Sequence, residues 1–421
     1  MINSSRAGAV EPRRNFNRLW FAQSVSLVGL QTGSVAVPLL AVDVLHADAS
    51  QVALIGTLSS VPWLLAPVVG AIADRTDRKR LLVVSHLARS LLWLSIPVAF
   101  LFGVLMLQQI WLVAGLVGVL SVVFGVGYRT FLPTIVAKEE LGTANGRMAG
   151  TDAVARATGP AAAGALVQFL GAVPTILVQT LSSLLAGIAT ATIRSAPSRR
   201  ARPAPTSRTE RLVGWWRGMI DGFRWLYRIR PLRWLTVGDT AYLFCCDLCF
   251  ALVVVFFRET LGLDAVLIGV IFSVGSLGGI VGAALANRLR VRAGFDVIIR
   301  IAAVLRGVGL IALPLSLLVP GGAVLAVLIA GRAVNACAWS VYEVLSETYQ
   351  QTVLPDDHRG SATAASLWLG NVAATLGAAT AAVLATVVDT VVLLAAAGIG
   401  AVAAGLISLL VDSRGRGGSA P

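Results

Sequence analysis

Apolar stretches about as long as a bilayer is thick recur along this chain, separated by short polar or Gly/Pro-containing breaks. They fall near 19–41, 51–73, 81–104, 109–131, 148–169 and 172–193, and after a polar interval near 234–257, 265–286, 297–319, 322–345, 361–385 and 388–411. A segment that crosses hydrocarbon finds no partner there for its backbone N–H and C=O groups, so runs of about 20 apolar residues must close those bonds internally as helices. Composition agrees, because 57% of the 421 residues are hydrophobic and 13% charged, with a mean hydropathy of +0.81. A soluble domain carries about 25% charged residues. The pattern predicts an all-α integral membrane protein of twelve transmembrane helices. Six-helix bundles are expected over 1–193 and 234–421, with a cytoplasmic linker over 194–233. The first apolar run is too long for a signal-peptide core and is expected to stay in the mature protein.

The net charge is +13, and its placement decides its meaning. With a cytoplasmic N-terminus, Arg258 is the single Lys or Arg of the 34 left on the outer side. The outer connections near His46, Gln108, Gly171, Gly321 and Asp389 hold none, whereas inner ones hold clusters such as Arg75, Arg78, Lys79 and Arg80. That is the positive-inside distribution of a multi-pass protein of the cytoplasmic (inner) membrane with both termini inside, and not a nucleic-acid surface. Ser195 to Arg211 reads as a flexible linker rich in Pro, Ser and Arg. After it, Trp215, Trp216, Phe223, Trp225 and Leu226 alternate with Arg217, Arg224 and Arg228, which predicts an amphipathic helix lying on anionic lipid.

The chain repeats itself. Shifting by 218 residues pairs Thr130 with Thr348, Phe131 with Tyr349, Thr134 with Thr352, Ile135 with Val353, Gly142 with Gly360 and Thr143 with Ser361. Arg89 stands eight residues before Pro97, and Arg306 eight before Pro314. Two six-span halves that each begin on the cytoplasmic side are parallel pseudo-repeats, an arrangement used for alternating access to a midplane site.

After the second run stands Gly70-Ala-Ile-Ala-Asp74-Arg75-Thr-Asp77-Arg78-Lys79-Arg80, which resembles the signature loop of the major facilitator superfamily. Asp77 replaces a customary glycine, and the second copy, Ala286-Asn287-Arg288-Leu-Arg290, has Asn for Asp. The segments from Leu132 to Asn145 and from Gln351 to Gly360 are similar to loops of the branch holding siderophore exporters and macrolide-efflux permeases. Gly159-Pro160-Ala-Ala-Ala-Gly164 resembles the superfamily's antiporter motif, with Ala155 in place of the leading Gly. A Gly-Pro kink that only packs helices accounts for it equally well.

The resemblance implies a secondary transporter with spans one, four, seven and ten around a central cavity. It also implies a cytoplasmic latch in which Asp74 meets a helix N-terminal dipole. Arg89, Asp152, Arg156 and Arg306, together with Asn287 and Arg288, are expected in that latch network. Glu347 occupies the repeat position of Arg129, and the two are gate candidates. The expected cavity residues are Gln23, Gln31, Phe124, Tyr128, Asp247, Arg332, Asn335, Trp339, Glu343, Trp368 and Asn371. Among these, Arg332, Asn335, Trp339 and Glu343 form one stripe at helical spacing. A charge in the bilayer is costly unless paired or wet, so Asp247 and Arg332 are read as a facing pair, either a titrating site or a static buried bridge. Related exporters often carry Asp after the glycine of span one, but Leu30 follows Gly29 here.

These readings point to proton-driven export of amphipathic small molecules such as drugs, antibiotics or siderophores. Uptake of a nutrient or siderophore is the alternative. An enzyme is not expected, because no P-loop motif occurs and the three His are scattered: His46 and His358 fall in expected loops and His86 packs in a span. Cys245, Cys246 and Cys249 lie in an apolar run with no His nearby, which fits neither a zinc site nor a disulfide framework. No cofactor or metal is expected beyond the proton gradient. The partners are a small-molecule substrate and lipid, and the chain is read as a monomer.

The charge distribution makes a direct prediction. In a cysteine-free background, cysteines introduced at Ser207 and Gly415 will be labelled only from the cytoplasm and one at Asp389 only from outside. Labelling of Gly415 from outside would break the even-span orientation.

Overall fold

The structure is a computed structural model that describes residues 7–65, 77–136, 140–193 and 208–411. Every regular element among the described residues is helical. In chain order these are α1 (Ala7–Asp43), α2 (Ala49–Ser60, continued by a tighter turn Val61–Leu65), α3 (Arg78–Leu101), α4 (Leu107–Ile135), α5 (Leu141–Leu170) and α6 (Ala172–Ala191). After α7 (Arg208–Arg228) come α8 (Arg230–Val255), α9 (Ala265–Ala293), α10 (Phe295–Leu315), α11 (Gly321–Val353), α12 (Asp356–Leu384) and α13 (Thr390–Ile407).

Ten of the described helices are long and apolar enough to cross a membrane. The other two expected spans are α2, whose run continues outside the described residues, and α5, which carries Arg147, Asp152 and Arg156 towards its N-terminal side. The helices outrun the apolar stretches. Thus α1 begins at Ala7, α5 at Leu141 and α8 at Arg230, while α11 reaches Val353. Hydropathy reports only the part of a helix inside hydrocarbon, and backbone bonding carries the helix on into the polar layer at little cost. Sharp local signals set the ends: Asp77 accepts a hydrogen bond from the Arg80 amide at 3.1 Å, and Asp389 accepts one from the Val391 amide at 2.7 Å. Asp77 therefore caps α3 in a way that the customary glycine would not.

By internal contacts the chain divides into two compact units. The first comprises Met1–Ala47, Leu58–Leu212 and Asp264–Gly269; the second comprises Asp48–Thr57, Val213–Leu263 and Val270–Pro421. In the first unit, α1 packs on α5 and α6, and α3 packs on α4 and α6. In the second, α8 packs on α12 and α13, and α10 packs on α11 and α13. The adjacency is the same in each. The sequence repeat also marks equivalent boundaries, since α4 ends at Ile135 and α11 at Val353, and α6 starts at Ala172 and α13 at Thr390.

Helix α7, expected as an interfacial anchor, also packs on its own chain. Its residues Met219 and Leu226 are buried in the same cluster as Leu235, Ile299 and Tyr342 of the second unit. Asp221 pairs with His358 Nδ1 at 2.8 Å, and Trp225 lies 4.8 Å from the His358 ring. His358, expected in a loop, belongs to the first turn of α12. The opposite side of α7 leaves Trp216, Ile220 and Tyr227 exposed beside Arg217, Arg224 and Arg228.

Lipid chains are as apolar as leucine, so helices in a membrane associate through close backbone approach at small residues. Helices α10 and α13 meet in this way: Gly307 faces the backbone of Ala401, and Gly405 faces that of Ala303. A leucine at position 307 has no room without parting the helices, which costs about 1–3 kcal/mol. Gly307→Leu should therefore lower the melting temperature of the detergent-solubilised protein by several degrees. An unchanged melting curve would show that this crossing does not hold the second unit together.

Candidate functional site

Arg306 organises the second unit. Its side chain on α10 is fully buried, and Nη1 donates to Asp239 Oδ1 of α8 at 2.6 Å. The guanidinium carbon lies 3.9 Å from the Tyr242 ring centroid and 3.7 Å from that of Tyr342. Asn335 of α11, also fully buried, donates to Tyr242 Oη at 2.8 Å and to the Arg306 carbonyl at 2.7 Å. The Tyr342 hydroxyl donates to the Leu235 carbonyl at 3.0 Å. Three helices are thereby joined around one cation. Arg306, expected in the latch network, and Asn335, expected among the cavity residues, both lie in this packed interior, where the Asn335 amide satisfies the Arg306 carbonyl and the Tyr242 hydroxyl.

Asp247 and Arg332, expected as a facing pair, form no ion pair among the described residues. Arg332 donates to Asn335 Oδ1 at 2.8 Å and stacks over Phe250 at 4.6 Å, so its charge is held by an amide and aromatic faces. Asp247 is half-buried and makes no hydrogen bond or ion pair among the described residues. The stripe on α11 therefore divides. Arg332 and Asn335 line a space of about 20 Å³ with Phe250 and Phe272, room for about one water.

Trp339 and Glu343 line a much larger open cavity of about 280 Å³. Asp239 and Leu243 of α8 form one wall of it. Trp339, Tyr342, Glu343, Ser346, Glu347, Gln350 and Gln351 of α11 form another, and Thr363, Ser366, Leu367, Gly370, Asn371 and Ala374 of α12 a third. Of the expected substrate residues it unites Trp339, Glu343 and Asn371, and it adds Glu347 from the gate candidates. Asp239 was not singled out from sequence. It stands at the polar start of a hydrophobic run, and the one signal for it was its spacing of three residues from Tyr242. Trp368 packs edge-on against Phe223 of α7, with ring centroids 6.2 Å apart, and does not line this cavity.

In the first unit, Phe124 is buried in the core with Phe16, Leu19 and Leu82 rather than set on a cavity wall. Arg89 lies 5.2 Å over its ring, His86 meets it edge-on at 4.7 Å, and Tyr128 stacks on it at 5.9 Å. Arg89 on Phe124 resembles Arg306 on Tyr342, the aromatic residues pairing at the 218-residue shift and the arginines one residue off it. Gln23 and Gln31 are half-buried, and the Gln31 stem fills the space beside Gly159. Pro160 lies buried within the continuous helix α5, and Gly164 faces the Ala265 backbone in the same unit.

The latch motif is described in part. Gly70, Asp74 and Arg75 lie outside the described residues, as does the Arg129 side chain, while Arg78 and Lys79 open α3. Asp152 and Arg156 form an exposed i,i+4 pair at 2.7 Å within α5, of a kind that contributes little to stability. Asn287 accepts from Arg290 within α9 at 2.8 Å, and Arg288 is exposed. The four cysteines are free thiols, and no cluster fit for a metal occurs among the described residues.

A family model described as transmembrane secretion effector matches residues 8–416. The chain belongs to this family of major facilitator transporters. Its fold is similar to that of the nucleoside transporter NupG, with a TM-score of 0.74 at 12% identity over 94% of this chain and 98% of that one. It is also similar to a bacterial homologue of the iron transporter ferroportin, with a TM-score of 0.75 at 17% identity over 95% and 99% of the two chains. A bacterial homologue of the lysosomal transporter Spinster gives 0.66 at 13% identity over 95% of each. No curated protein matches the sequence. Family and neighbours alike are transporters, not enzymes.

The buried pair carries its own prediction. Arg306→Gln leaves Asp239 beside a neutral group and should cost about 2–3 kcal/mol of stability, reduced from the fully buried case because Asp239 is half-exposed. The double variant Asp239→Asn/Arg306→Gln should recover part of that loss. Melting losses in the two single variants that simply add in the double would show that the carboxylate and guanidinium do not depend on each other.

Proposed function

We propose that this transporter of the inner membrane exports amphipathic small molecules in exchange for protons. The family description as a secretion effector supports the outward direction. The observation that carries the coupling is Asp247, an acid in the middle of α8 with no hydrogen-bond or ion partner among the described residues. An ionisable group at membrane depth is costly and needs a reason to be there. A carboxyl without a fixed partner can take up and release a proton, whereas one tied to a guanidinium is held ionised. The cavity walled by Trp339, Tyr342 and Asn371 offers aromatic and amide surface to a bulky, partly apolar guest.

The full chain in liposomes under an imposed pH gradient, loaded with amphipathic dyes of each charge sign, tests this reading. Asp247→Asn should lose uphill, pH-driven flux by at least about tenfold while retaining dye binding and downhill exchange. Unimpaired uphill flux in Asp247→Asn would remove this residue as the proton carrier. Absence of pH-driven flux for every dye in the parent protein would remove proton antiport itself.

A further inference from the structure

Arg306 and Arg332 meet at Asn335, and of the two only Arg306 has an acid among the described residues. Arg332 of α11 stands over Phe250 at 4.6 Å and Phe272 at 5.9 Å, and donates to the Asn335 amide oxygen at 2.8 Å. No carboxylate pairs with it among the described residues. Every partner it has is neutral. Asn335 offers nothing further, because its amide nitrogen already donates to Tyr242 and to the Arg306 carbonyl. A guanidinium stays charged at membrane depth and is costly there without an anion. Aromatic faces replace only part of its lost hydration.

Packing does not demand a cation at this place. At the 218-residue shift Ala114 stands for Arg332 and Val117 for Asn335, so the first half builds the same helix adjacency with apolar residues there. The geometry leaves one donor for a guest. Nη1 is spent on Asn335, and Nε lies buried against Gly275 of α9, closed to any guest. Nη2 makes no hydrogen bond among the described residues and, unlike Nε, keeps accessible surface. Beside the arginine is the space of about 20 Å³ bounded by Cys249, Phe250, Phe272 and Leu313, with no acid in its lining. It has room for a guest of about one water's size. Chloride is only slightly larger than water, and the Cys249 thiol is a weak donor on the same wall.

We propose that Arg332 and this space form a binding site for one chloride ion, which supplies the counter-charge that no side chain among the described residues provides. The site goes beyond the transport reading and does not depend on it, since it concerns an ion held at equilibrium and not a flux.

The test is equilibrium retention of radiolabelled chloride by the full chain in nanodiscs of uncharged phosphatidylcholine, with empty nanodiscs subtracted and potassium gluconate holding the ionic strength constant. Retention should saturate at about one chloride per chain, and bromide should compete while gluconate, too large for the space, should not. Unlabelled chloride should also raise the melting temperature by a few degrees between its half-saturating concentration and about a hundred times that value, as a ligand of the folded state alone must. Arg332→Gln should retain no chloride and melt at one temperature in chloride and in gluconate. Leu313→Phe fills the space and leaves the arginine in place, so it reads the site even if the glutamine variant does not fold. It should lose at least about tenfold in chloride affinity. No saturable retention by the parent, displacement by gluconate as effective as by chloride, or retention unchanged in every variant that folds overturns the site. A space that holds water alone gives the first of these results.

Discussion

A guanidinium with none of its surface exposed cannot remain in a membrane bundle without an anion and without something to replace its water. Arg306 meets both needs from neighbouring helices, with Asp239 and Tyr242 on α8 and Tyr342 on α11. Cation–aromatic contacts of this kind are worth about 2 kcal/mol each when desolvated, less than the cost of burying the charge, so the carboxylate is required as well. The consequence spreads outward. Asn335 must face inward to cap the Arg306 carbonyl and the Tyr242 hydroxyl, and Arg332 follows it because Asn335 Oδ1 is the acceptor within reach. Once those side chains turn in, the part of α11 left for the cavity begins at Trp339.

Much of this was legible in the sequence. Apolar runs gave the helical membrane class because hydrocarbon leaves the backbone no other choice, and the repeat gave the equivalence of the halves that the packing of α1, α3, α8 and α10 displays. Individual side chains were legible only in part. A stripe at helical spacing tells which residues share a face, but Arg332 and Asn335 lie on nearly the same face as Trp339 and still serve a different space. Long side chains reach along the helix to partners that sequence spacing does not name. Asp239 was missed for a related reason: an acid near the end of an apolar run reads as a cap, and only the position of Arg306 on another helix gives it a role.

Helix α7 illustrates the same limit. Its alternation of aromatic residues and arginine signalled an amphipathic helix, and α7 is one, but amphipathicity alone cannot say whether lipid or protein covers the apolar side. Gly222 admits the Ser361 and Ala365 segment of α12 closely, and Met219 and Leu226 enter the core. The apolar face is satisfied by its own chain. What remains outward is a second set of aromatic residues interleaved with arginine.

The repeat also sharpens the division of labour within α8. Phe124 and Tyr342 pair at the 218-residue shift and Arg89 and Arg306 fall one residue off it, so an arginine on an aromatic ring occurs in both halves. Asp239 does not recur, since its equivalent in the first half is Phe21. Asp239 neutralises Arg306, whereas Arg89 has an aromatic face and no acid beside it among the described residues. Held at 2.6 Å from a buried guanidinium, Asp239 supplies the anion that Arg306 needs. Asp247 stands eight residues further along the same helix, about 12 Å at 1.5 Å per residue. It makes no hydrogen bond or ion pair among the described residues. Two acids on one helix are thus set apart by their partners: the one that is paired holds the architecture, and the one without a partner among the described residues is the one on which the proposed coupling rests.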